Sequence, residues 1–362
     1  MRSTSARLLC LVSIALMASG APTAAPQATN VPSPPTFQSI GPLTFGADGV
    51  LFAADAQGAT IHALNLGSAL APGAPGTKEI PGIDAQVAAL LGADARDILI
   101  TDLAVQPRTG NAFISAMRGQ GAGAKPVLLR VDGTGKIDLV DFAKTSGTRV
   151  TLPNVAGAAT DRQRMEGITD MAFADGRLYV AGLSNEEFAS KLRSIPYPFA
   201  SVDNGASVEI YHGSHGQFET RSPVYTFVPY RVDNTPHLIA GYLCTPLVKF
   251  PVSSLKPGAK VTGTTIAELG AGNRPIDMIL YSKGGKDFLL MSNTRRGVMK
   301  IPTEQFASAP AITTQVTDKD GIGYETVATM TGIEQLDRLD DTRTLVLARA
   351  NGALNLNAVP LP

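Results

Sequence analysis

One phrase recurs along the chain and limits what it can fold into. At residues 100–115 it reads Ile100-Thr101-Asp102-Leu103-Ala104-Val105, a polar turn ending at Gly110, then Asn111-Ala112-Phe113-Ile114-Ser115. It returns as Ile168-Thr169-Asp170-Met171-Ala172-Phe173, a turn through Gly176, then Arg177-Leu178-Tyr179-Val180-Ala181. An earlier copy occupies residues 40–54, with Gly49 closing its turn. Apolar strands of about six residues joined by Gly-containing turns and repeated at long intervals specify radial or solenoid β architecture. Aligned copies begin near Ile40, Ile100, Ile168, Val224, Pro275 and Ile333. Their spacing suits blades of about four strands, so the expected fold is all-β, a six-bladed β-propeller. The last blade has no clear fourth strand, and residues 35–39 are expected to supply it and close the ring.

Composition narrows the function classes. The chain has 362 residues, 44% of them hydrophobic, enough for a sizeable core, and Lys+Arg equals Asp+Glu at 31 each. With no basic field, nucleic acid is not an expected partner. Residues 1–20 read as a signal peptide: Arg2 and Arg7 precede an apolar stretch, and small residues end at Gly20. The apolar run is too short to span a membrane. The expected location is therefore periplasmic or extracellular after cleavage. Residues 21–35, rich in Ala, Pro and Thr, read as a disordered linker, leaving 36–362 as a single propeller domain. Cys244 is then the lone cysteine, and no internal disulfide can form.

Strand directions alternate within a blade, so the loops between second and third strands and those between blades share one face. That face holds the long segments 67–99, 118–125, 143–167, 183–206 and 317–332, and is the expected site of binding by a small molecule or protein. Short helices are expected over 84–91 and 185–192.

The residues aligned at one position of the repeat are Pro42, Asp102, Asp170, Thr226, Asp277 and Gln335. First strands line the axis of a propeller, so three carboxylates converge at its mouth, where Glu166, Asn273 and Arg274 lie just upstream. Converging carboxylates need a cation, hydrogen bonds or raised pKa values. Two readings follow: a ligand or metal site built on Asp102, Asp170, Asp277 and Glu166, with Arg274, Asn273 and Gln335 in support, or a structural clasp in which each Asp accepts backbone N–H groups of the next blade. His212 and His215 bracket a turn expected to be solvated and on the opposite, plain face, and Cys244 reads as a small buried filler. The chain carries no Cys-x-x-Cys-His, no Gly-x-Ser-x-Gly and no His-Glu-x-x-His, so neither haem nor nucleotide is expected and no complete catalytic set assembles.

The repeat resembles that of the NHL and SMP-30/gluconolactonase group of six-bladed propellers. Gly41-Pro42-Leu43-Thr44-Phe45 with Gly49-Val50-Leu51-Phe52-Ala53-Ala54-Asp55 carries the likeness, as does Leu103-Ala104-Val105-Gln106-Pro107 with Gly110-Asn111. It covers three to four of six repeats, and Asp102, Asp170 and Asp277 stand where that group commonly has Gly. For lactonases of this kind the resemblance implies a divalent cation, Ca or similar, held by a Glu, two Asn and an Asp. Glu166 and Asp277 could stand for the acidic members, and no Asn pair matches. The sequence thus points first to an exported binding or interaction module with a carboxylate-lined central mouth, and second to a divalent-metal-dependent hydrolase of lactonase or esterase type.

Overall fold

The structure, a computed structural model, describes residues 29–71, 79–158 and 162–362. Residues 1–20, expected to be a signal peptide, lie outside these. Six antiparallel sheets form the six blades of a β-propeller, and only two α-helices occur among the described residues, Ile83–Leu91 and Arg162–Met165. The innermost strands are Leu43–Phe45, Ile98–Val105, Asp170–Ala174, Val224–Val232, Pro275–Lys283 and Ile333–Arg338, numbered here as blades one to six. Second strands such as Leu51–Asp55 and Ala112–Arg118 are apolar nearly throughout, because each blade has another packed on both faces. Tight hairpins set their register: Asp233 and Asn234 both hold positive φ (47° and 60°), the conformation a two-residue turn of this hand demands.

The blades do not follow one another in chain order. Six apolar clusters fill the six interfaces, and they join blade one to three, three to four, four to five, five to six, six to two and two to one. Blade one is therefore seated between two and three. Its Phe52 lies against blade-three rings, 5.4 Å from Phe173 and 4.9 Å from Tyr197. The outer strand of blade one, Ser146–Thr151, comes from the segment that leaves blade two, and pairs along Thr60–Asn65 in full register. The chain then enters blade three.

This arrangement changes how the ring closes. Residues 35–39 do not extend the last blade, which contains three strands. Instead Ile80 bridges the outer edge of blade six, its N–H donating to Leu356 O at 2.8 Å and its carbonyl accepting from Leu356 N at 3.0 Å. The helix Ile83–Leu91 follows at once and packs Ile83 and Val87 into the interface between blades two and six. Residues 35–39 are tied to blade one, where Asp55 accepts the backbone N–H groups of Gln38 and Ser39. Thr29–Ser33, expected within a disordered linker, pairs with Ser146–Thr151 as a fifth strand of blade one, which supplies partners to an otherwise open edge.

One expected loop, 183–206, also contains a strand. Of the two short helices expected, 84–91 forms, whereas 185–192 does not. Ser190–Pro196 is the third strand of blade three, and Ala206–His212 is its fourth.

If blade one neighbours blade three, Phe52 and Phe173 are energetically coupled. A double-mutant cycle of Phe52→Leu and Phe173→Leu, followed by urea denaturation, is expected to give an interaction energy of about 0.5–1.5 kcal/mol. Additivity within about 0.3 kcal/mol would contradict the seating.

Candidate functional site

Two of the aspartates at the aligned position, Asp102 and Asp277, directly follow a local backbone irregularity. In blades two, four, five and six the first strand bulges one residue before that position, with Thr101, Tyr225, Ile276 and Glu334 as the extra residues. A bulge sharpens the local twist and re-aims the next side chain. The carboxyl groups of Asp102 and Asp277, and that of Asp170 from an unbulged strand, reach sideways to the next blade around the ring. Asp102 Oδ2 accepts Leu43 N–H at 2.6 Å, Asp170 Oδ2 accepts Phe227 N–H at 2.7 Å, and Asp277 Oδ2 accepts Leu336 N–H at 2.9 Å. In Asp170 and Asp277 the other oxygen accepts the N–H of the following residue.

A fourth carboxylate completes the set. Asp337 Oδ2 accepts Val105 N–H at 2.6 Å and its Oδ1 accepts Arg338 N–H at 2.6 Å. It lies two residues beyond Gln335, and its acceptor role is displaced by the same two residues on blade two, so one geometric rule governs all four. The clasp is missing at two interfaces, where Pro42 and Thr226 occupy the position.

All four aspartates line a single central cavity of about 290 Å³, with Leu43, Phe45, Met171, Met278 and Arg338 among its other walls. The lining runs from the aspartates toward the ends of the same strands at Phe45, Pro229, Leu280 and Arg338, so the cavity lies between the acidic tier and the short-turn face. The sequence had led us to expect the opening on the long-loop side. Three of the expected site residues, Asp102, Asp170 and Asp277, are brought together there.

The others are not on its lining. Glu166 belongs to the segment entering blade three, where its carbonyl accepts Leu183 N–H. Asn273 is buried and spends its side chain on Asn293, Thr294 and the Arg295 backbone. Arg274 is exposed, its guanidinium 5.5 Å from the Tyr225 ring. Gln335 is not among the lining residues. Arg338, unforeseen, lines the cavity but pairs with Asp341. Among the described residues no Lys or Arg makes an ion pair with any of the four aspartates.

Unpaired carboxylates at this depth hold protons more tightly. Burial is the main cause for each, pushing Asp170 up to about 7 and Asp337 up to about 6 against the donated N–H bonds. Asp102 and Asp277 are pushed well above the usual carboxylate range, first by burial and then by repulsion, from Asp170 and Asp337 at Asp102 and from Asp102, Asp170 and Asp337 at Asp277.

The cation implied by the lactonase resemblance does not fit. Its Glu and two Asn have no counterparts on the cavity, since Glu166 and Asn273 lie elsewhere. No known family's sequence profile matches the chain, and no curated protein matches it. Solved structures with similar shape include a protein named glucose dehydrogenase (TM-score 0.37, 11% identity, 94% of this chain and 100% of that one). Another is the soluble aldose sugar dehydrogenase of Escherichia coli in its apo form (TM-score 0.34, 12% identity, 90% and 97% covered). A third is a mitotic checkpoint complex chain (TM-score 0.36, 12% identity, 100% and 99% covered). At such scores these likenesses add nothing to what the six sheets establish directly.

The raised carboxyls make stability depend on pH. A folded pKa near 6 to 7, against 3.8 for an ordinary Asp, gives a contribution that is full below about pH 4 and is lost as pH rises through 6 to 7. Thermal midpoints are expected to fall between pH 5 and pH 8. Asp170→Asn should flatten that slope, each unit of pKa removed being worth about 1.4 kcal/mol. A midpoint rising over this range would contradict the assignment.

Proposed function

We propose that this chain is an exported propeller acting as a binding module, whose central cavity takes a small ligand bearing a cationic or multiply N–H-donating group. One observation carries the reading: four carboxylates line one cavity, and no Lys or Arg among the described residues pairs with them. Each already accepts backbone N–H groups, and the remaining lone pairs are available to a ligand that donates several hydrogen bonds or brings charge. At about 290 Å³ the cavity is at the small end of ligand pockets, which favours a compact amine or a hydrated divalent ion over a folded partner. Both arms of the sequence reading, ligand site and structural clasp, are combined here, because the bonds that tie neighbouring blades also aim the acidic groups.

Binding of a cation would compensate repulsion that is greatest when the tier is ionised. Stabilisation by ligand should therefore be larger at pH 8 than at pH 5. Export rests on the charged, apolar and small-residue segments of residues 1–20. The metal-dependent hydrolase reading has no observation in its favour beyond the acidic cluster itself.

Thermal shift and calorimetric titration with Ca²⁺ and with putrescine provide the test. Wild type is expected to bind one of them and to gain several degrees at pH 8, with the gain reduced at least several-fold in Asp170→Asn/Asp337→Asn. No binding of either probe, or equal binding by the double variant, would overturn the reading. Mass spectrometry of the secreted chain is expected to find Ala21 first.

A further inference from the structure

A second polar cluster lies away from the axis, where blades three and four meet at their outer strands. His212 and His215 occupy the turn between Ala206–His212 and Gln217–Glu219 in blade three, and Cys244 occupies the turn between Thr235–Tyr242 and Pro246–Pro251 in blade four. The sequence places the two histidines on the plain face, since residues 207–211 read as the third strand of their blade. That segment is the fourth, since Ser190–Pro196 intervenes, and one more strand reverses the direction in which the turn emerges. The histidine turn therefore comes out on the same side as the Cys244 turn. One donor atom from each of His212, His215 and Cys244 lies within 4.8 Å of the others.

Two features set this cluster apart from a solvated hairpin. His212 is only 1% exposed, and its Nε2 is buried without any hydrogen-bond partner. Its Nδ1 is 2.9 Å from Glu219 Oε2 but outside hydrogen-bond geometry. An imidazole taken out of water and left without a partner costs on the order of 1–3 kcal/mol. Glu268 repeats the pattern: it is 1% exposed, one oxygen accepts Gly213 N–H at 2.6 Å, and Oε2 has no partner. Cys244, expected to be a buried filler, is half-buried on a turn residue with φ of 61°.

We propose that His212, His215 and Cys244 bind one Zn²⁺ ion, a site separate from the central cavity. Two imidazoles and a thiolate form a donor set suited to this borderline-soft ion, and three protein donors leave a fourth position for water. Glu219 stands behind both rings, its Oε1 2.5 Å from His215 Nδ1 and its Oε2 2.9 Å from His212 Nδ1. At His215 the carboxylate is hydrogen-bonded to Nδ1, which leaves Nε2 for a metal. The charges of the thiolate and the Glu219 carboxylate together balance the ion. Bond lengths of about 2.0–2.3 Å put tetrahedral donor pairs about 3.3–3.8 Å apart, so the cluster needs to contract by no more than about 1–1.5 Å. His215, with 45% of its side chain exposed, has the freedom to make that adjustment.

The test uses the full folded chain, stripped with EDTA and then equilibrated with Zn²⁺. Wild type is expected to hold one ion per chain by elemental analysis. Co²⁺ in its place should give a thiolate-to-metal absorption in the near ultraviolet. Cys244→Ser should abolish that absorption, and both Cys244→Ser and His215→Ala should weaken Zn²⁺ binding at least tenfold while keeping the circular dichroism of the parent. Asp170→Asn/Asp337→Asn should bind Zn²⁺ as the wild type does, which keeps this result independent of the central cavity. No Zn²⁺ retained by wild type, or binding unchanged in Cys244→Ser and His215→Ala, would overturn the proposal. Binding lost only in the double aspartate variant would also overturn it.

Discussion

A blade of three or four strands cannot bury its own side chains, so every part of this molecule depends on ring closure. Each second strand is apolar on both faces and needs a neighbour on each side. Blade one shows how far this constraint reaches. Its three inner strands come from the N-terminal part of the chain, and its fourth comes from residues 146–151 after blade two is complete. A blade assembled from two distant segments ties them together by a full ladder of backbone hydrogen bonds. Blade six is finished in a smaller way, by the Ile80 bridge and the helix behind it. The disc is thus fastened twice, and both fastenings use chain that lies between the first and third copies of the repeat.

The acidic tier follows from the same need. First strands meet at the axis, where little apolar surface is available and backbone N–H groups must still find acceptors. An Asp reaching sideways provides that acceptor to the next blade, as at Leu43, Phe227, Leu336 and Val105. Using four carboxylates for this task crowds like charges around one cavity. Their raised pKa values measure the conflict: hydrogen bonding favours the charged form, while burial and repulsion oppose it. A site that is strained only when ionised has a built-in preference for whatever brings positive charge to it.

The inner hairpins were legible in the sequence because strong apolar runs and Gly- or Asn-containing turns mark them without tertiary information. The order of the blades was not, since a loop's length does not reveal which neighbour it reaches. Strand Ser190–Pro196 was hidden for a chemical reason: Lys191 and Arg193, each 1% exposed, occupy positions where a strand pattern calls for apolar residues. Lys191 is held there by Glu186 and Ser207, partners that only the fold supplies. Residues 146–151, with one buried Val150 among polar neighbours, gave equally little signal. The aspartates at 102, 170 and 277 could be found by alignment, whereas Asp337 was obscured by Gln335 two positions earlier. Same-face alternation along a strand was the available clue.

These oversights share a cause that bears on where function resides. A repeat satisfies its own polar groups by the same bonds in every copy, which leaves little chemistry free. Where the copies differ, that balance fails: Asp337 is displaced by two residues, Pro42 and Thr226 cannot clasp, and blade three gains a fifth strand, Gln217–Glu219, after the turn at His212. Each departure leaves a polar group whose demands the scaffold does not meet, either a carboxylate without a counter-charge or an imidazole without a partner. Since burying such a group is costly unless something compensates it, the irregular positions of this propeller are the ones that call for a ligand.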